Sequence, residues 1–384
     1  MSISETVQLT QQLVRIRSEN PTGTEKECAA FIKRWLESID GIDVEVQTVE
    51  RDRENIIVRY KAAERSSLPP LVILAHMDTV PIEGDWTYDP LGAAIIDGKM
   101  YGRGACDMKS GLACALSALK EVVTKKIATK RDVYVIVTVD EEGPYMKGAI
   151  ALVDGGYIKE DALLLATEPT NLTVATVHKG TIWYELLVEG RSAHGGNAHL
   201  GADAVHAASE IITRVKDKVA RLPYDHAIFG KPAISVGTIS GGHKTNMVAG
   251  SCRVELDFRL VPPMTKEEAN RIVQEAAQEG CRVVDGTSVQ INHYGHERPP
   301  LETEENSVLI EMIKAAFFEV EGKDIEVSGF PAYTDASMIA LKTGNRNVAV
   351  FGPGHLNEAH AVDEFVEIEQ IDRCKDVLVK LMQK

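Results

Sequence analysis

The stretch LVILAHMDTVP, residues 71–81, begins as an aliphatic run and ends with a histidine and an aspartate two positions apart. A short apolar run of this kind is typical of a strand that is buried on both faces in a parallel sheet. In an extended chain residues i and i+2 lie on the same face, so His76 and Asp78 point in one direction. The pattern allows two interpretations: a strand end closed by a capped turn, or a metal ligand with its orienting carboxylate.

The sequence around this stretch alternates between helical and strand patterns over about the first 180 residues. Helical spacing of apolar residues marks SETVQLTQQLVRIRS, EKECAAFIKRWLESI and KSGLACALSALKEVVTKK. Short aliphatic or β-branched runs mark NIIVRYK, DVYVIVTVD and DALLLATEP. Buried strands joined by helices predict an α/β domain whose mostly parallel sheet carries helices on both faces.

A different order of elements begins near Gly180. Up to residue 293 the patterns run strand, helix, strand, strand, helix, strand, which is the βαββαβ plan of ferredoxin-like domains. The α/β pattern then returns and continues to the C-terminus. We therefore predict one α/β domain formed by residues 1–179 and 294–384, with a smaller domain, residues 180–293, inserted into it.

The composition of the 384 residues is that of a globular protein, with 44% hydrophobic and 26% charged residues. A net charge of −15, with acidic and basic residues interspersed, argues against nucleic acid or an anionic membrane as a partner. The sequence shows neither a signal-peptide pattern nor an apolar run of membrane-spanning length. The six cysteines form no CxxC pair, so a disulfide scaffold is not expected and a cytoplasmic location fits.

Acidic residues and histidines follow several of the predicted strands in the larger domain. They are His76 and Asp78 in AHMD, Asp107 in YGRGACDMKSG, Glu141 and Glu142 in TVDEEGP, Glu168 in LATEPT, and His355 and His360 in FGPGHLNEAH. In open α/β sheets ligands collect beyond the carboxyl ends of the strands. We therefore expect these side chains to converge in space although they are spread along the chain.

A cluster of imidazoles and carboxylates that needs no thiolate suits zinc, cobalt or manganese better than magnesium or calcium. Asp107 is the candidate for a carboxylate shared by two ions, because nearby glycines let the backbone approach closely. Adjacent carboxylates at a strand end diverge. One of Glu141 and Glu142 can therefore bind a metal ion while the other takes a proton from bound water.

Each of these residues also has a purely structural interpretation. Asp107 can cap the helix that follows it, and Glu141 and Glu142 can form a solvated pair before a Gly-Pro turn. Glu168 can be an exposed turn residue, and a histidine near the C-terminus can lie at the surface or pack in the interior. These explanations are independent of one another, and none accounts for all five stretches. Other catalytic signatures such as GxSxG, HExxH and GxxxxGK[ST] are absent from the sequence.

The motifs LAHMDTVP, YGRGACDMKSG, DEEGP, EPT and GPG…EAH…DE resemble, in this order, those of the M20 metallopeptidases. That family includes acetylornithine deacetylase, succinyl-diaminopimelate desuccinylase, aminoacylase and the glutamate carboxypeptidases. The resemblance covers essentially the whole chain. It implies a metal-binding catalytic domain with an inserted lid and dimerisation domain, a homodimer, and two divalent ions per subunit, with zinc expected and cobalt or manganese as alternatives.

The same resemblance implies a role for each residue of the site. The ligands are His76, Asp107 and Glu168 for one ion, and Asp107, Glu142 and His360 for the other. Glu141 is implied to be the general base and acid that activates metal-bound water, and Asp78 is implied to orient the His76 ring.

Further residues match the family in the inserted domain and near the C-terminus. His194 in GRSAHGG is implied to reach the active site of the other subunit and to polarise the scissile carbonyl. The implied substrate contacts are Asn246, Arg259, Gly354, Tyr333 and Thr334. Arg259 can instead pair with a neighbouring acid on its sheet. For His355 two interpretations stay open: it contacts the substrate, or it has no role in the site.

The resemblance also points to a substrate. EPTNLTVATVHKG and GPGHLNEAHAVDEF look more like acetylornithine deacetylase than like the desuccinylase, which carries a threonine and an arginine where this chain has Tyr333 and Ser337. We therefore expect removal of the acyl group from an N-acyl amino acid, in amino-acid metabolism such as arginine biosynthesis. The alternatives are desuccinylation, dipeptidase or carboxypeptidase activity, and a metal-loaded binding protein without catalysis.

Overall fold

The computed structural model describes residues 3–21, 25–62 and 66–384. Over these residues the chain divides into two compact units. The first consists of Met1–Val177, Glu302–Phe330 and Thr334–Lys384, and the second of His178–Leu301 with Pro331–Tyr333. The second unit extends past residue 293 because its last strand continues to Arg298.

The elements are numbered in chain order. The strands are β1 (Asp43–Glu50), β2 (Arg53–Tyr60), β3 (Leu71–His76), β4 (Ala94–Ile96), β5 (Lys99–Tyr101), β6 (Val133–Thr138), β7 (Leu163–Ala166), β8 (Val174–His178), β9 (Gly180–Glu189), β10 (Ala233–Gly241), β11 (Ser251–Leu260), β12 (Ser288–Arg298), β13 (Leu301–Glu302), β14 (Val327–Phe330), β15 (Val348–Val350) and β16 (Phe365–Glu367). The α-helices are α1 (Glu5–Val14), α2 (Lys26–Leu36), α3 (Lys109–Thr124), α4 (Lys147–Asp154), α5 (Ala204–Ala220), α6 (Lys266–Cys281), α7 (Val308–Glu321), α8 (Asp335–Thr343) and α9 (Ile368–Leu381).

The large sheet of the first unit has the strand order β1-β2-β6-β3-β7-β15-β8-β13, with β14 beside β8. Its central neighbours β6, β3, β7 and β15 run parallel. The pairs β1–β2, β2–β6 and β15–β8 are antiparallel. The α/β prediction is confirmed, and the sheet is mixed, with its parallel part at the centre. The short connection from Glu50 to Arg53 has room only for an antiparallel turn, whereas parallel neighbours need a long crossover.

Strand β3 lies in the middle of this sheet, and all of its residues are buried. Leu71, Ile73 and Ala75 belong to the apolar core that also contains residues of α1, α3 and α9. Alternate residues of a strand face opposite sides, and α8 packs against β3, β7 and β15. Burial on both faces explains why this strand is a continuous aliphatic run rather than an alternating one.

The second unit is an antiparallel sheet in the order β10-β11-β9-β12, with α5 and α6 packed on it. Ile182, Tyr184 and Leu186 of β9 alternate with less buried residues and share one apolar core with the two helices. Asp203 and Thr265 cap the helices by accepting backbone hydrogen bonds. The predicted βαββαβ plan is confirmed.

None of the helices in the described residues combines the length and the apolar character needed to cross a bilayer.

Candidate metal centre

Three neighbouring strands of the large sheet end at the same place, each followed by a candidate ligand. His76 is the last residue of β3, and Glu168 follows β7 after a single threonine. Glu141 and Glu142 lie just after β6. Because β6, β3 and β7 are adjacent and parallel, their carboxyl ends meet at one edge of the sheet.

Asp107 reaches this edge from the segment before α3. Gly111, in the first turn of that helix, packs so closely on the end of β7 that a Cβ atom there would lie 2.0 Å from the Thr167 carbonyl oxygen. Only glycine fits such an approach. Oε1 of Glu364 then accepts hydrogen bonds from the backbone N–H groups of Cys106 and Asp107, at 2.9 and 3.0 Å. Close packing and these hydrogen bonds together place the Asp107 carboxylate beside His76.

The imidazole of His76 faces three carboxylates. Its Nε2 atom lies 3.1 Å from Oδ1 of Asp107, 3.6 Å from Oε1 of Glu168 and 3.8 Å from Oε2 of Glu141. Its Nδ1 atom donates to the backbone oxygen of Asp78 at 2.9 Å. That hydrogen bond makes Nδ1 a donor and leaves Nε2 as the nitrogen that faces the carboxylates, so Nε2 is the atom that could bind a metal ion once it gives up its proton.

His360 approaches the same centre from the loop after β15. Its Nε2 atom lies 3.0 Å from Oε1 of Glu142 and 3.4 Å from Oδ2 of Asp107. Asp107 therefore faces His76 with one oxygen and His360 with the other. A carboxylate in this position can bridge two cations about 3.5–4 Å apart.

The carboxylate of Asp78 makes contacts that the sequence did not indicate. It lies 3.6 Å from Nδ1 of His76, beyond hydrogen-bond distance, so the ring is oriented by the Asp78 main chain instead. Its oxygens accept hydrogen bonds from the backbone N–H groups of Glu141 at 3.2 Å and Glu142 at 3.1 Å, and from the side chain of Asn20 at 2.9 Å. Asp78 thus holds both the ring and the backbone of the two glutamates.

The centre carries an excess of negative charge in a largely buried place, with the half-exposed His360 side chain at its edge. Burial, together with repulsion from neighbouring carboxylates, raises the pKa values of Glu141, Glu142 and Glu168. Burial opposes a charged imidazole, yet hydrogen bonds with Asp107 and Glu142 raise the pKa of His360 to about 11. The raised carboxyl pKa values reflect crowding of like charges, and bound cations would relieve that repulsion.

Distances between donor atoms fit metal binding. One ligand atom each from His76, Asp107 and Glu142 lie within 4.8 Å of one another, as do atoms from His76, Glu141 and Glu168. Imidazole nitrogen with carboxylate oxygen is a donor set that zinc, cobalt and manganese accept. His360 adds a second imidazole through its contacts with Asp107 and Glu142.

Comparison with known proteins places the chain in a family. Residues 72–384 match the family model described as peptidase family M20/M25/M40. The chain belongs to this family. Its fold is similar to that of aminopeptidase PepT from Bacillus cereus, with 20% identity over 99% of this chain and 98% of that chain and a TM-score of 0.80.

Two further solved structures of M20 peptidases share the fold. An M20 family metallo-carboxypeptidase from Sulfolobus solfataricus is 18% identical over 99% of both chains, with a TM-score of 0.80. A dinuclear metal-binding peptidase of the M20 family from Bacillus subtilis is 15% identical over 98% of this chain and 96% of that chain, with a TM-score of 0.73.

In this M20 chain the predicted substrate residues of the first unit have structural contacts of their own. Gly354 has a φ of 87°, and a Cβ there would lie 2.7 Å from the Cys106 sulfur. Thr334 is buried and caps α8 by accepting a hydrogen bond from the Ser337 N–H at 3.2 Å. His355 caps the short 3₁₀ helix after it by accepting from the Asn357 N–H at 3.1 Å.

The remaining predicted residues belong to the second unit. His194 and Asn246 lie on loops that are joined by a 2.8 Å hydrogen bond from the Gly195 N–H to the Asn246 carbonyl oxygen. Arg259 pairs with Asp257 at 2.9 Å, which is the ion pair that the sequence left open as an alternative. Tyr333 is buried, with the Arg298 guanidinium 5.8 Å from its ring centre.

Several residues at the metal centre were not predicted. Glu364 accepts a hydrogen bond from the Asp107 backbone, and its only signal in the sequence was its place in the DE motif. Burial raises the pKa of Glu364 to about 7, although the nearby Arg103 opposes the shift. Asp335 is buried, accepts a hydrogen bond from the Thr138 hydroxyl, and has its pKa raised to about 7 by burial. Nothing in the sequence indicated that Asn20 belongs to the site, because a polar residue before a proline is typical of a turn.

Proposed function

We propose that this M20 metallo-hydrolase carries two divalent ions and removes the acyl group from an N-acyl amino acid, as acetylornithine deacetylase does. The proposal is carried by Asp107, whose two oxygens face His76 and His360 separately. His76, Asp107 and Glu168 would hold one ion, and Asp107, Glu142 and His360 the other. Zinc is the proposed metal because the donor set contains two imidazoles.

The bound ions would supply positive charge that polarises the amide carbonyl and acidifies water. Glu141 is the residue proposed to move protons. Asp78 holds the loop that carries Glu141, and burial raises the Glu141 pKa, which makes its carboxylate a stronger base. Glu141 would accept the proton of the attacking water and deliver it to the leaving nitrogen.

Substrate recognition is proposed to involve Asn246 and Arg259 for the carboxylate, with Gly354, Tyr333 and Thr334 as further contacts. Arginine presents a planar pair of donors that matches a carboxylate, although here Arg259 is already paired with Asp257. We also propose a homodimer through the inserted unit, in which the partner subunit's His194 polarises the scissile carbonyl. A cytoplasmic location is proposed because all six cysteines are free.

Peptide hydrolysis is the second candidate, because the similar structures are named as an aminopeptidase and a carboxypeptidase. The two activities use the same metal chemistry on different amides. Desuccinylation and a binding role without catalysis remain further alternatives.

An amine-release screen of the metal-loaded protein separates these candidates. The substrates are N-acetylornithine, other N-acetyl amino acids, N-succinyl-diaminopimelate, and di- and tripeptides with a free or blocked N-terminus. Highest kcat/KM on an N-acetyl amino acid supports the proposal. Highest kcat/KM on a peptide with a free N-terminus replaces it with a peptidase, and no turnover of any substrate, with metal bound, favours the binding protein.

A further inference from the structure

We propose that Arg53 and Asn20 are positioning residues that hold the backbone of Glu141 and Glu142 through a buried chain of charged hydrogen bonds. The proposal rests on the function proposed above, because its effect is to fix the general base and one metal ligand. Arg53 acts through Asp140, and Asn20 acts through both Asp140 and Asp78.

Arg53 begins β2 and is only 7% exposed. Its Nε atom donates to both carboxylate oxygens of Glu25, at 3.0 and 3.2 Å. Its Nη1 atom lies 3.0 Å from Oδ1 of Asp140. One guanidinium therefore bridges two buried carboxylates, each of which would be strongly unfavourable in the interior without a nearby cation.

The amide of Asn20 connects this ion pair to the metal centre. Its Nδ2 atom donates to Oδ1 of Asp140 at 3.0 Å and to Oδ2 of Asp78 at 2.9 Å. The backbone of Asn20 is anchored separately, since its N–H donates to the Thr79 carbonyl oxygen at 2.8 Å. The side chain therefore serves to join two carboxylates that would otherwise repel each other.

The carboxylates of Asp78 and Asp140 both accept hydrogen bonds from backbone N–H groups that follow β6. Asp78 accepts from the N–H groups of Glu141 and Glu142, while Oδ2 of Asp140 accepts from the Lys147 N–H at 3.1 Å. Asp140 itself has a left-handed φ of 65°, a conformation that is uncommon for residues other than glycine and that aspartate tolerates better than most.

Gly143 shows how closely this loop packs. A Cβ atom at that position would lie 2.5 Å from Oδ1 of Asp140 and 3.1 Å from Nδ2 of Asn20. The loop thus has no room to relax around its hydrogen bonds. Loss of the Arg53 charge would take the guanidinium away from Glu25 and Asp140, and we expect their repulsion to displace the loop. A misplacement of about 1 Å costs about 10²-fold in rate.

The test compares Arg53→Met with Arg53→Lys and with Arg59→Met. Arg59 is a matched control because it lies on the same strand and pairs with Asp132 at 2.5 Å. Each variant is loaded with cobalt, and its absorption spectrum, its cobalt affinity, kcat and KM are measured. We expect Arg53→Met to lower kcat about 10²-fold with little change in KM. We also expect it to weaken cobalt binding about 10- to 100-fold and to alter the cobalt spectrum.

Arg53→Lys should recover part of the loss, because a lysine keeps the charge without the planar pair of donors. Arg59→Met should match the parent protein in every measurement. Wild-type kcat, cobalt affinity and spectrum in Arg53→Met would overturn the proposal, and so would equal losses in Arg59→Met.

If Arg53→Met does not fold, Asn20→Ser provides the test. We expect this variant to fold, because the backbone N–H of residue 20 still donates to the Thr79 carbonyl oxygen. A fall in cobalt affinity and kcat with an unchanged melting temperature supports positioning, whereas unchanged affinity and kcat overturn it. The cobalt measurements also separate this proposal from the proposed function. A parent protein that binds cobalt but releases no amine would end the deacylase proposal, while the comparison of cobalt affinity among the variants would still decide the role of Arg53.

Discussion

Oδ1 of Asp107 lies 3.1 Å from Nε2 of His76, although 31 positions separate the two residues in the sequence. The other oxygen of Asp107 faces His360 at 3.4 Å. Burial opposes ionisation of this carboxyl, but its hydrogen bonds with the two histidines hold the pKa of Asp107 well below its usual range. A carboxylate that stays ionised between two imidazoles is suited to share two cations.

We therefore expect Asp107→Asn to lose most of the bound metal at both positions, and hydrolysis with it. An amide has a single acceptor oxygen and no charge, so it cannot serve two ions. Elemental analysis after dialysis measures the metal content. The exposed Asp85→Asn is the control, and retention of both ions in Asp107→Asn would rule out a bridging role.

Glu141→Gln should keep the metal and lose turnover. The substitution preserves the size of the side chain but removes the group that takes the proton. We therefore expect kcat to fall about 10²–10⁴-fold. Metal content and kcat on the best substrate of the screen are the measurements. Unchanged turnover would remove Glu141 from the mechanism, and a loss of metal would reassign it as a ligand.

Removal of metal should lower the melting temperature. The carboxylates of the half-buried Glu142 and the buried Glu168 are crowded by their neighbours. Ions that bind the folded state should therefore stabilise it, by about 2.7 kcal/mol when the free ion is at 100 times its Kd. Calorimetry of the chelated and reloaded protein checks this. The shift should shrink in His360→Gln, and equal melting temperatures with and without metal would contradict a metal centre here.

Gly111→Ala should disturb both stability and metal binding. The added methyl group would meet the Thr167 carbonyl oxygen at 2.0 Å, so α3 must move away from β7, at a cost of about 1–3 kcal/mol. Gly237→Ala is the control, because its Cβ has an ordinary neighbour at 3.8 Å. Denaturant unfolding and metal affinity are measured for both, and a Gly111→Ala protein as stable as the control would contradict the close packing.

Stability should fall in acid partly because of His178. Burial lowers the pKa of this histidine to about 3, below the usual value near 6.5. Between these values the unfolded chain binds a proton that the folded chain does not. The contribution of His178 is therefore complete above about pH 6.5 and declines as the pH falls, by about 2 kcal/mol at pH 5.

His178→Gln removes this titration. The difference in unfolding free energy between pH 7.5 and pH 5, measured with urea, should shrink by about 2 kcal/mol relative to the parent protein. The exposed His199→Gln should leave the difference unchanged. An equal pH dependence in the parent protein and His178→Gln would show that this histidine does not titrate as its burial requires.

The limits of sequence-based prediction are visible at Asp78 and Glu364. The spacing of His76 and Asp78 predicts a linked pair, but periodicity cannot tell which atom of Asp78 accepts the hydrogen bond from the ring. Glu364 supports Asp107 across 257 positions. No local pattern encodes such a contact, because it depends on how the C-terminal segment packs against the rest of the first unit.

By itself the sequence determined the α/β and βαββαβ order of elements and the residue types that follow the strands, because strand and helix periods are local properties of the chain. Only the tertiary structure decided that β6, β3 and β7 are neighbours, that Asp107 faces both His76 and His360, and that Arg53 and Asn20 support the glutamate loop. Those relationships arise from sheet pairing and buried charge neutralisation between segments far apart in sequence, and local periodicity carries no information about such distances.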